Sequence, residues 1–106
     1  MRREKYMDMA ISAFRDYAIM LEDPIHANIT RADEEAVVLA LSEADDDIEE
    51  AVRAVYMTAP REAITSKKIA LRVRAYAGEH YLSEESVWRR LRIARRYYAL
   101  ARGLIE

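Results

Sequence analysis

Apolar residues return at spacings of three and four along almost the whole chain, and that period decides its fold class. Met7, Ile11, Phe14, Ala18 and Leu21 step by four, three, four and three, the repeat of one face of an α-helix and not the alternation of a strand. A first helix is therefore predicted over residues 4–21, ended by Asp23-Pro24, because proline lacks the N–H that a continuing helix needs. A second begins after Thr30, whose hydroxyl can cap it, with Asp33 three residues on in a capping-box-like pair. Val37, Leu41, Ala44, Ile48, Val52 and Val55 then keep one face through the acidic run Asp45-Asp46-Asp47. That continuity favours one long helix to about residue 57. The competing arrangement is a break at Asp45, which would cap a separate helix starting at Asp46. Thr58-Ala59-Pro60 closes the stretch either way. A third helix begins near Thr65 or Ser66 and turns Ile69, Val73, Tyr76 and Ala77 inward. A fourth covers residues 83–101 and ends before Gly103. With two Gly and two Pro in 106 residues and 52% apolar side chains, turns are scarce and core material is ample. The expectation is an all-α fold, a single small helical domain (1–106) of four to five helices, able to bury a core without disulfides or metal.

Several classes of chemistry find no residues to carry them. The chain has no cysteine, so there is no disulfide framework or thiolate metal site, which fits a reducing cytoplasm. His26 and His80 are the only histidines, and neither lies in a zinc-binding spacing. His80 is expected to line a turn. Asp45-Asp46-Asp47 lacks the glycine and distal glutamate of a calcium loop and reads as a solvated run or a cap. Neither a Gly-rich phosphate loop nor a recognisable nucleophile-base arrangement is present. No enzyme, metal or cofactor is expected. The start of the chain, Met1-Arg2-Arg3-Glu4-Lys5-Tyr6, is basic but leads into Asp8 and Asp16 instead of the apolar run of a signal peptide, and no window has the length of a membrane span.

Charge is what divides the domain. The formal net charge is only -2, yet residues 1–60 carry 6 Lys/Arg against 14 Asp/Glu, whereas residues 61–106 carry 11 against 5. A basic segment attracts phosphates and an acidic one is repelled by the same duplex. One part, residues 62–106, can face DNA while the acidic helical part, residues 1–60, faces away.

The basic part holds a helix-turn-helix pattern in Ala77-Gly78-Glu79-His80-Tyr81-Leu82-Ser83-Glu84-Glu85-Ser86-Val87-Trp88-Arg89-Arg90-Leu91. Such a motif needs a small residue late in its first helix, a capping hydroxyl at the start of the second, and apolar residues four apart to lock that helix down. Ala77, Ser83, Val87 and Leu91 stand at those places, and Glu84 and Glu85 occupy the first turn, where the helix dipole favours negative charge. At about 100° per residue, Val87, Leu91, Ala94, Tyr98 and Ala101 fall on one stripe and Glu85, Arg89, Arg92 and Arg96 roughly opposite. The turn position two before Ser83, commonly a Gly of positive φ, is Tyr81 here, and Gly78 comes three residues too early to replace it. A longer or differently shaped turn is expected. The candidate DNA-binding set is Glu84, Glu85, Ser86 and Arg89 near base edges, Arg92, Arg95 and Arg96 on phosphates, Ser83 at the cap, Trp88, which can either stack on bases or pack in the core or an interface, and Lys67 and Lys68 at the start of the preceding helix. Within it Arg89, nearer the helix start, is the guanine reader and Arg92 a phosphate anchor.

These segments, together with Asp47-Ile48-Glu49-Glu50-Ala51-Val52-Arg53-Ala54-Val55-Tyr56 and Ala94-Arg95-Arg96, resemble region 4 of sigma factors. The whole plan is similar to phage late-gene regulators of the RinA and ArpU type, with the likeness strongest over about the last 60 residues. The resemblance implies a phage or prophage protein that binds double-stranded DNA near a promoter, activates transcription and touches RNA polymerase. Antiterminators carry a similar motif. The alternative is a helical interaction module, an inhibitor or adaptor that would offer Asp33, Glu34, Glu43, Asp46, Glu49 and Glu50 to a basic partner. Because one helix-turn-helix contacts few base pairs, a homodimer is expected, joined through the first helix or the long acidic one.

Overall fold

Oxygen atoms of four side chains set where four of the helices begin. Thr30 accepts from the Asp33 N–H (3.2 Å), Asp45 from Ile48 (3.1 Å), Thr65 from Lys68 (3.1 Å) and Ser83 from Ser86 (3.1 Å), each satisfying an amide that has no partner within its helix. The computed structural model describes residues 4–106; residues 1–3 of the basic N-terminal stretch lie outside them. The described chain runs α1 (Met7–Glu22), a single 3-10 turn (Pro24–His26), α2 (Arg31–Glu43), α3 (Asp46–Val55), α4 (Ser66–Glu79) and α5 (Glu84–Arg102). It is all-helical, with no strand among the described residues, and no helix there is long and apolar enough to cross a membrane.

The single long helix over 30–57 is not formed. Ala44 and Asp45 are extended (ψ 141° and 170°), and the chain restarts as α3 under the Asp45 cap. The unbroken apolar stripe misled because both helices lean on the same neighbour: α2 and α3 each pack against α5, so Val37, Ala40, Ile48, Val52 and Val55 are all buried although they belong to two separate rods. Two residues at stripe ends also depart from expectation. Leu21 and Ala101 are exposed, each in the last turn of its helix.

α5 is the axis of the fold, touching each of the other four helices. Its inner residues Val87, Leu91, Ala94 and Tyr98 are buried. At the centre Phe14 of α1 stacks on Tyr56 at the end of α3 (6.0 Å between centroids) and lies tilted against Tyr98 (6.2 Å). Two tyrosine hydroxyls thereby enter an apolar interior, and each needs a partner there. Tyr98 donates to Asp33 of α2 (2.7 Å), which also receives Arg102 Nε (3.0 Å). Burial above all, then the Asp33 carboxylate, pushes the Tyr98 hydroxyl well above its ordinary pKa. Tyr56 receives Arg95 Nη1 (2.8 Å).

Candidate nucleic-acid interface

α4, four connecting residues (80–83) and α5 have the layout of a helix-turn-helix, with α3 packed on both helices. The sequence lacks a turn glycine, and the structure shows what replaces it. Tyr81 itself takes the left-handed conformation (φ 54°). The Leu82 N–H then reaches back to the Ala77 carbonyl (2.9 Å) and the Tyr81 N–H to Gly78 (3.5 Å), the double closure by which glycine usually ends a helix. The turn keeps its ordinary length and is strained, not lengthened. His80 lines it as expected, its ring stacked on Tyr76 at 4.1 Å. The Tyr81 side chain, 97% exposed, has no packing to compensate the strain. A left-handed conformation costs a non-glycine residue about 1–2 kcal/mol, partly offset by the entropy a glycine loses on folding. Tyr81→Gly is therefore expected to stabilise the chain by about 0.5–1 kcal/mol, raising the melting temperature by a few degrees. A lower melting temperature would mean that the aromatic ring makes a contact worth more than the strain.

Ala77, Val87 and Leu91 lock the two helices together, all buried. The Ser83 hydroxyl caps α5 and lies 2.8 Å from the Ser86 hydroxyl, so both serines are engaged in starting the helix. On the opposite side Glu85, Arg89, Arg92 and Arg96 form the exposed stripe their spacing predicts. Lys67 is exposed at the start of α4. Lys68 is held by Glu62 at 2.9 Å, and Glu84 lies 3.8 Å from Arg74. Trp88 is half-buried and packs against the core.

Arg95 does not belong to this surface. It is 5% exposed, its Nε and Nη2 gripping the two oxygens of Glu4 at 2.9 and 2.8 Å while Nη1 donates to Tyr56. Burial opposes the guanidinium's charge, but the hydrogen bonds to Glu4 and Tyr56 and the charge of Glu4 outweigh it, so its pKa lies above the ordinary arginine value. A side chain fixed in this way cannot reach a phosphate. The reason is angular: Arg95 follows buried Leu91 by four residues and precedes buried Tyr98 by three, which places it on the inner face. The same count, applied residue by residue, would have removed it from the outer set.

Sequence reasoning also missed the acidic neighbours of Arg89. Asp45, Asp47, Ser86, Arg89 and Arg90 line a shallow depression of about 220 Å³ between the start of α3 and α5, with Arg90 4.0 Å from Asp47. No spacing along one helix reveals this, since it depends on how α3 crosses α5. Among the acidic residues proposed for a basic partner, Asp33 is occupied by Tyr98 and Arg102 and Glu49 by Arg53 at 2.9 Å. That acidic face is thus smaller than the sequence suggested.

Compared with known proteins, the chain matches no family model, and no curated protein or solved structure is significantly similar to it.

Proposed function

We propose that the chain is a DNA-binding transcription regulator of phage or prophage type, working in the cytoplasm and laying α5 into the major groove of double-stranded DNA, with RNA polymerase as a further partner. One observation carries this reading. Arg31, Arg53, Arg61, Lys68, Arg72, Arg74, Arg90, Arg95 and Arg102 each have a carboxylate within 4.0 Å. Arg89, Arg92 and Arg96, one above another on α5, have none among the described residues. Cations without a salt bridge on one stripe of a rigid, capped helix fit the spaced anions of a phosphate backbone.

Arg89 reads a base, with Asp45 and Asp47 beside it discouraging a purely phosphate-bound placement. Arg92, Arg96 and Lys67 anchor the backbone. Three such contacts give a slope of log affinity against log salt of about -3 for a mixed-sequence duplex. Measured by fluorescence anisotropy, Arg92→Ala is expected to weaken every duplex alike and to make that slope shallower by about one. Arg89→Ala is expected to cost about 1–3 kcal/mol on a duplex selected from a random library and much less on mixed sequence. Both variants should melt like the parent. Parent-like DNA affinity in both, with the fold intact, would remove the DNA reading and leave the interaction module.

A further inference from the structure

We propose that a second copy of this chain docks on the outer face of α2 and the end of α5, forming a two-fold dimer. Val38, Leu39 and Leu100 are 47%, 52% and 42% exposed, although large aliphatic side chains at adjoining positions are normally covered. Leu39 stands between two open depressions. One, of about 490 Å³, is lined by Arg31, Glu34, Glu35 and Val38; the other, of about 370 Å³, by Glu43, Tyr97, Leu100 and Ala101. A protruding leucine flanked by hollows is a shape that can complement itself.

The charges on α2 select a second copy over other occupants. Arg31 begins the helix and Glu43 ends it, 12 residues or about 18 Å apart. Two α2 helices laid antiparallel bring Arg31 of each level with Glu43 of the other, once at either end and within reach of a long side chain when the helices cross, and bring the two Val38-Leu39 pairs together within a turn of the axis. This is the self-complementarity that an isologous interface requires. The Arg31 side chain is paired to Glu35 within its own helix but is still 91% exposed, so it is open to a carboxylate across the interface. Phosphates do not suit the patch, which is apolar at its centre and has more carboxylates than cations on its rim.

The placement leaves Arg89 clear of the contact, since it lies 11 residues before Leu100, about 16 Å along the helix. The dimer does not rest on the DNA reading.

Sedimentation equilibrium of the full chain without DNA tests the dimer alone. The parent is expected to self-associate in the micromolar range. Leu39→Glu, at an exposed position, should keep the parent's circular dichroism and weaken association at least about tenfold. Arg31→Glu and Glu43→Arg should each weaken it, and the two together should restore it, because the exchanged charges again face one another. A parent that stays monomeric at several hundred micromolar, or a dimer indifferent to Leu39→Glu, or a charge exchange that fails to restore association, overturns the proposal. DNA binding by a monomeric parent would leave the function intact while removing the dimer.

Discussion

Leu91→Asp is expected to abolish the fold, leaving a chain without a cooperative thermal transition by circular dichroism. Leu91 is fully buried on the inner face of α5, the helix that all the others pack against. The substitution removes a core side chain, a change that costs about 2–5 kcal/mol even when alanine takes its place. It also leaves a carboxylate that must either be desolvated without a partner or be held protonated, at several kcal/mol more. Small domains have about 5–15 kcal/mol in total, so little or nothing remains. A cooperative melt within a few degrees of the parent would show that α5 is not the central helix.

Arg95→Ala is expected to destabilise the chain by about 3–5 kcal/mol, the range found when one member of a buried pair is removed. The loss has two identifiable parts. The Tyr56 hydroxyl, inside the core, loses the guanidinium that binds it at 2.8 Å, and an unpartnered buried hydroxyl costs about 1–3 kcal/mol. The Glu4 carboxylate loses both of its hydrogen bonds to α5 but lies near enough to the surface to recover some water. The melting temperature should fall by about 12 °C or more. Below that melt, DNA affinity should be unchanged, because Arg95 faces inward. Arg89→Ala and Arg92→Ala should show the opposite behaviour, with stability within about 0.5 kcal/mol of the parent and weaker binding. If Arg95→Ala instead reduced DNA affinity with no loss of stability, its buried position would be wrong.

Helix faces and helix starts were readable from neighbouring residues. Ile69, Val73, Tyr76 and Ala77 point inward as their spacing requires, and Thr30, Thr65 and Ser83 cap where a hydroxyl precedes an apolar run. Such signals are local, and physics acting over one or two turns of helix decides them. The break at Asp45 was not readable in the same way. A capping aspartate and a solvated one look alike in sequence, and the apolar stripe crosses the break because α5 receives both segments. Glu4 and Arg95 lie 91 positions apart, so nothing near either residue reveals the other. The candidate site divides similarly. The outward positions of Arg89, Arg92 and Arg96 follow from helical period, whereas Asp45 and Asp47 come beside Arg89 only through the crossing of α3 over α5. Tyr81 adds a conformational lesson: the turn geometry is kept even where the residue that makes it easy is absent.

The central place of α5 also governs how the protein comes into being on the ribosome. α1 to α4 are made first, and each emerges with an apolar face that packs in part on α5, which has not yet been translated. Until residues 84–102 clear the exit tunnel, Phe14, Val37, Val52 and Val73 have only each other to shelter them. Nascent chains still held on the ribosome should be readily cleaved by protease and captured by chaperones, whereas the released chain should resist both. Folding of the domain is in that sense a single late event in synthesis, timed by the emergence of the same helix that carries Arg89, Arg92 and Arg96.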